Sequence, residues 1–185
     1  MSRPLALLLC PTALITLLQA GPALAERADR NQPVNIEANK VTVDDRNKVH
    51  VFEGNVILTQ GTLTIRGDKV VVTQDVEGFQ KGVATSGAGG LARFRQKREG
   101  KPDFVEGEAE RIEYESKSEK AQLFNRAWVK SAGDEVRGQY IEYDGYTENY
   151  RVNNGGTPSA SNANGGRVSA TIQPKSAQPQ PATKP

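Results

Sequence analysis

The chain is poor in the residues that most often carry chemistry. Its 185 residues include one cysteine and one histidine. The cysteine, Cys10, lies in an N-terminal segment that reads as a removable leader. The mature protein is therefore expected to have no disulfide, no thiolate nucleophile and no thiolate metal ligand. The histidine, His50, stands alone in KVHVF on an expected strand. Acid–base and metal chemistry call for converging groups, so His50 is given no role and neither a metal nor a cofactor is expected. A strong charge bias is also missing. There are 24 Lys and Arg against 22 Asp and Glu, and setting aside Arg3 of the leader leaves 23 basic residues. A balance so close to neutral argues against a general nucleic-acid binder.

Long apolar runs occur only at the start. Arg3, the run Leu5 to Leu18 and the small-residue pattern Ala23-Leu24-Ala25 read as a secretory signal peptide over residues 1–25, cleaved after Ala25. The run is too short for a membrane span and is broken by Pro11. An exported chain without cysteine suits the periplasm of a Gram-negative cell better than a disulfide-stapled extracellular module. From residue 153 to 185 the composition is mainly Asn, Gly, Ser, Ala, Gln and Pro with scattered Lys and Arg and only Val168 and Ile172 as aliphatic residues, which predicts a disordered tail. Residues 26–152 remain as a single domain.

Within that domain a strand–corner–strand phrase recurs four times. It reads IEANKVTV from Ile36, IRGDKVVV from Ile65, VEGEAERIEY from Val105 with two extra residues, and VRGQYIEY from Val136. In each copy an aliphatic residue stands two before Ala38, Gly67, Gly107 or Gly138, and the next apolar pair falls on the opposite parity. Strand side chains alternate faces, so both pairs point inward only if the strand bends at the small residue. Repetition of this kind marks an architecture built by stacking. Helical periodicity is scarce and runs of Val, Ile, Thr and Tyr are punctuated by Gly, Asn and Asp. The fold class is therefore all-β, an antiparallel sheet folded on itself with an apolar interior.

Two hairpins are expected. In VILTQGTLTI a Gln60-Gly61 turn would pair Thr59 with Thr62 and Leu58 with Leu63. In AWVKSAGDEV a three-residue loop, Ser131 to Gly133, would set Lys130 opposite Asp134 and Trp128 opposite Val136. Glu106, Glu108, Glu110, Glu113 and Glu115 alternate with apolar residues as a wet strand face does, not as paired catalytic acids. SGAGG lacks the lysine and helix of a phosphate loop. The basic stretch Arg93, Arg95, Lys97, Arg98 and Lys101 has forks suited to lipid phosphates near an opening, or serves as a solubilising hairpin.

The segment FEGNVILTQGTLTIRGDKVVV, Phe52 to Val72, resembles the core motif of the OstA-like family of periplasmic lipopolysaccharide-transport proteins. QPVNIEANK, VEGEAERIEYESKSEKAQLFNRAWV and VRGQYIEYD resemble the same family in the same order, so the likeness spans the whole ordered chain. The resemblance implies a folded-over sheet, open along one side, that holds the acyl chains of lipopolysaccharide. It also implies head-to-tail stacking into a bridge from the inner-membrane complex, through partner C, to the outer-membrane translocon, partner D. Neither catalytic residues nor a cofactor is implied.

An acyl cargo needs a continuous apolar track. Motif match and alternation place on it Val34, Ile36, Val41 and Val43 from the first copy, and Val56, Leu58, Leu63, Ile65, Val70 and Val72 from the second. Phe94, Ile112, Tyr114, Trp128, Val136, Ile141 and Tyr143 complete the set. Val34 and Ile36 lie where cargo enters in the family. Edge strands around Val34 to Val43 and Val136 to Tyr150 would join copies. Alternatives are a membrane-anchored partner-C-like component, a cargo-free periplasmic scaffold and, third, an exported hydrolase.

Overall fold

The computed structural model describes residues 29–155 and 167–174. The leader and most of the expected tail lie outside the described residues. A short 3-10 turn, Asp29–Asn31, precedes twelve strands. They are β1 (Val34–Glu37), β2 (Lys40–Asp44), β3 (Val49–Gln60), β4 (Leu63–Asp75), β5 (Gly78–Thr85) and β6 (Ala92–Lys97). There follow β7 (Phe104–Ala109), β8 (Arg111–Glu115), β9 (Lys120–Ser131), β10 (Asp134–Asp144), β11 (Asn149–Asn153) and β12 (Ser169–Thr171). Every pairing is antiparallel. Among the described residues no helix is long and apolar enough to cross a membrane.

The twelve strands form one sheet folded into two facing layers. The long strands β3, β4, β9 and β10 run through both. One layer is ordered β2-β3-β4-β5-β8-β9-β10-β11 and the other β1-β3-β4-β6-β7-β9-β10-β12. The bends of β4 and β10 sit where the sequence changes parity, whereas β3 and β9 bend with their inward residues on one parity throughout. β3 turns the corner at Gly54 and Asn55, with φ of 83° and 50°, and β9 at Asn125 and Arg126, with φ of 62° and 49°. Two consecutive left-handed residues are a local irregularity that redirects a strand and re-aims its side chains. On β4 and β10 the corners are Gly67 and Gly138. A Cβ on Gly67 would lie 2.7 Å from the Thr85 carbonyl oxygen, and one on Gly138 would lie 3.0 Å from that of Asn153. Close backbone approach excludes a side chain at both.

These matched corners expose a twofold internal repeat, β1–β6 followed by β7–β12. β7 and β8 flank β9 as β1 and β2 flank β3. β11 and β12 lie against β10 as β5 and β6 lie against β4. Even single hydrogen bonds recur: Asn39 N–H donates to the Gly54 carbonyl at 3.0 Å, and Glu110 N–H to that of Asn125 at 3.1 Å. In this frame the third copy of the phrase is GEAERIEY from Gly107, without extra residues, and its corner is Ala109 instead of Gly107. Gly107 then occupies an aliphatic position, because a Cβ there would meet the Phe94 ring at 2.4 Å. Phe94 fills that space from the neighbouring strand.

Both hairpin registers differ from expectation. Gln60 pairs with Leu63 and Leu58 with Ile65, so the turn is Gly61-Thr62. Only Gly61 has a positive φ, 57°, and a turn needing φ > 0 at its first central residue places glycine there. The slip is even, so the inward face is unchanged. In the second hairpin Ser131 pairs with Asp134 across Ala132-Gly133, both at positive φ, giving a two-residue loop. This slip is odd. Trp128, expected inside opposite Val136, instead faces outward opposite Arg137, and Val129 takes the inner place. Trp128 donates to Glu135 at 3.3 Å, with the Arg137 guanidinium 5.6 Å above its ring.

Ser169–Thr171, within the stretch expected to be a disordered tail, forms β12 on β10. Backbone pairing to an open edge requires no apolar side chains, so composition could not reveal it.

Candidate functional site

The interior is built from rows of directly opposed residues. One runs Val41, Phe52, Val70, Ala84, Ile112, Leu123, Ile141, Val152 across the first layer. A parallel row holds Val43, His50, Val72, Gly82, Tyr114, Ala121, Tyr143 and Tyr150. The second layer answers with Ile36, Leu58, Ile65, Phe94, Gly107, Val129, Val136 and Ala170. Opposed residues share a face, so each row is a continuous stripe, apolar except at His50.

Sixteen of the seventeen residues expected inside face inward, Trp128 being the exception. Their burial is uneven along the stack. Val56, Leu58, Leu63, Ile65, Val70, Val72, Phe94, Ile112, Tyr114, Ile141 and Tyr143 are buried in one cluster. Val34, Ile36 and Val136 pack on it from its margins. Val41 and Val43 are 53% and 51% exposed, because β2 is an edge strand with nothing beyond it among the described residues. Phe52, Phe79, Leu123 and Val129 belong to the same surface and were missed, since the first two adjoin a bulge and a turn and the others flank the corner of β9.

Between the layers at the β1–β3 end lies a cavity of about 240 Å³ lined by Val34, Ile36, His50, Phe52, Val72, Gln74 and Phe79. It opens beside a wider cleft of about 960 Å³ between Arg30–Val34 and Gln60 on one rim and Gln74–Phe79, Ser116 and Lys117 on the other. The rims are the two rows of turns opposite the bent corners, and the gap between them is the open seam of the fold. Just beneath it the inner face becomes polar: Gln60, Gln96 and Ser131 are buried. Gln96 lies near the Tyr114 hydroxyl, and Ser131 of the opposite layer near that of Tyr150. Burial pushes the Tyr114 and Tyr143 hydroxyls well above the ordinary phenol value.

The basic stretch divides. Arg93 and Arg95 face outward, paired across β6 and β7 with Glu108 at 3.0 Å and Glu106 at 2.9 Å. Arg95 also stacks on Phe104, 3.3 Å from the ring centre. Lys97 ends β6, its backbone N–H donating to the Thr62 hydroxyl at 3.2 Å. Arg98 turns to the seam. It binds Asp103 at 2.9 Å and reaches Glu148, on the opposite rim, at 2.7 Å. Lys101 meets the same Glu148 oxygen at 2.6 Å. Burial raises the Glu148 carboxyl, but the hydrogen bonds from Arg98 and Lys101 outweigh it and hold the group below the ordinary value.

Comparisons with known proteins agree with this geometry. A family model described as LptA/(LptD N-terminal domain) LPS transport protein matches residues 35–149. The chain is 32% identical over 141 residues to the lipopolysaccharide export system protein LptA of Haemophilus influenzae, covering 76% of this chain and 81% of that protein. It is 38% identical over 123 residues to LptA of Escherichia coli K12, 66% of this chain and 65% of that protein. LptH of Pseudomonas aeruginosa is 32% identical over 163 residues, 88% of this chain and 91% of that one. The crystal structure of LptH superposes with a TM-score of 0.71 at 26% identity, covering 80% of this chain and 99% of that chain. A folded two-layer sheet with an open seam, matched through residues 35–149, identifies the chain as a member of the LptA/(LptD N-terminal domain) LPS transport protein family.

Proposed function

We propose that this protein is a periplasmic carrier of lipopolysaccharide, exported with cleavage after Ala25, that holds acyl chains between its layers and leaves the phosphorylated sugar in water at the seam. The observation that carries the reading is the set of apolar rows running across both layers to an edge at Val34, Ile36, Val41 and Val43 that no strand covers among the described residues. Acyl chains follow such a stripe for the same reason the core forms, removal of apolar surface from water. The role calls for no catalytic residue and no cofactor.

Stacking follows from the internal repeat. β5 and β6 of the first repeat pair with β8 and β7 of the second, with Ala84 opposite Ile112 and Phe94 opposite Gly107. β11 and β12 stand where β5 and β6 stand, with no strand beyond them among the described residues. Transferring that register sets Val152 against Val41, Tyr150 against Val43 and Ala170 against Ile36 of a second copy. The same edges would meet the inner-membrane partner C and the outer-membrane partner D. Exposed Val41, Val43, Tyr150 and Ile172 all lie on these edges or beside them.

The test is site-specific photocrosslinking in cells with the reactive residue at Ile36 and a control at exposed Glu115. A lipopolysaccharide adduct at Ile36 alone is expected. No adduct at Ile36 in a folded, exported protein would favour a cargo-free scaffold.

A further inference from the structure

On one side of the fold the layers are joined by continuous strands through the corners. On the seam side they are joined only by noncovalent contacts. In the first repeat the rims stand apart around the cleft, and Lys117 pairs with Asp75 at 3.1 Å and Glu77 at 2.8 Å along one rim without crossing it. In the second repeat Glu148, in the β10–β11 turn, receives both Arg98 and Lys101 from the β6–β7 turn of the other layer. The closure lies over an aromatic floor, Phe94, Tyr143 and Tyr150, whose successive ring centres are 6.4 Å and 5.2 Å apart.

We propose that Arg98, Lys101 and Glu148 form an ionic latch across the seam, and that the two cations exchange Glu148 for the phosphate groups of an acylated amphiphile when the seam parts. The inference rests on the carrier reading. An amphiphile with chains between the layers and its headgroup in water has its linkage in the seam, so the rims must separate wherever it sits. Arg98 has an 11% exposed side chain, and its Nε is buried without a hydrogen-bond acceptor. Drawing Glu148 away would leave a partly desolvated guanidinium short of an anion, which is strongly unfavourable unless another anion replaces it. A phosphate does so, matching the guanidinium fork with two oxygens and leaving a third for Lys101. The closed cluster of Arg98, Lys101, Asp103 and Glu148 is neutral, and without Glu148 it carries one net positive charge.

The test uses the processed protein with spin labels at Pro102→Cys and Thr147→Cys, one on each rim. Distances are measured alone, with bisphosphorylated lipid A, with its dephosphorylated form and with inorganic phosphate. A narrow distance alone and a longer, broader one with bisphosphorylated lipid A are expected. Glu148→Gln should broaden the distance before any lipid is added. Arg98→Gln, and the milder Lys101→Gln at a more exposed position, should lose about a tenfold preference for the phosphorylated lipid, the scale of one or two charge-assisted hydrogen bonds. If both lipids bind equally and Glu148→Gln leaves the distance unchanged, the latch is overturned while the carrier reading stands. If inorganic phosphate alone opens the seam, the lipid is not the source of the anion and the exchange is overturned. If neither lipid binds, the carrier reading falls and the latch with it.

Discussion

The two repeats place equivalent residues in opposite environments. Val41 and Val43 of β2 correspond to Ile112 and Tyr114 of β8. The first pair is about half exposed, whereas Ile112 is 1% and Tyr114 4% exposed. The difference is what lies on the outer edge: β8 has β5 of the preceding repeat against it, and β2 has no strand there among the described residues. The inward-facing residue is therefore specified by the phrase, and its burial by the neighbour. The domain holds the β5–β8 junction inside it, and among the described residues no strand pairs with the outer edge of β2 or β11.

The largest expected effect comes from truncating the two equivalent positions. Ile112→Ala should cost about 2–5 kcal/mol, as for other buried aliphatics. Val41→Ala in dilute protein should stay within about 0.5 kcal/mol, as for most surface positions. Urea unfolding of both variants measures this, and similar losses would mean that β2 is already covered in solution.

The repeats also differ at Ile36 and Gly107. Gly107→Val forces a side chain into the Phe94 ring and should destabilise by about 1–3 kcal/mol. Adding Phe94→Val should recover part of that loss, whereas a purely additive double variant would show that the two positions do not share the space.

A smaller, distributed effect is expected at high pH. The inner-row phenols Tyr114 and Tyr143 are raised by burial, and Tyr140 is pushed up to about 12 by burial and the Glu142 carboxylate it hydrogen bonds. Raised folded values favour the neutral form. Their contribution is thus complete below the ordinary phenol value of 10.0 and lost as pH rises through the folded values. Urea midpoints should hold from pH 8 to 9.5 and then fall, and Tyr114→Phe should flatten the fall. A pH-independent midpoint up to 12 would contradict the burial of these hydroxyls.

The smallest effect on folding should come from Val43→Lys at the open edge, with unfolding unchanged within about 0.5 kcal/mol. Sedimentation velocity should nevertheless show loss of concentration-dependent assembly, because an edge lysine opposes strand addition. Unchanged assembly would place the junction elsewhere.

The four phrases were legible because a bent strand leaves a local record: a change of parity around a residue that backbone approach keeps small. The third phrase was misaligned by two residues, since Gly107 looked like the corner when it was the gap filled by Phe94. The hairpins show the limit of local pattern. An even slip at Gly61 left every face correct, while an odd one at Ala132-Gly133 turned Trp128 outward, and only backbone φ distinguishes the loops. Arg98 was conspicuous as a charge, but its partner stands 50 residues away and could not be chosen from the many carboxylates available.

Periodicity and turn chemistry act over a few residues, and for that reason the sequence alone determined the all-β class, the bends at Gly67 and Gly138 and nearly every inward-facing side chain. Register, edge exposure, the pairing of Ser169–Thr171 with β10 and the joining of the rims at Glu148 were decided by tertiary structure. Each depends on which distant strand lies alongside, a choice made by the folding of one layer over the other.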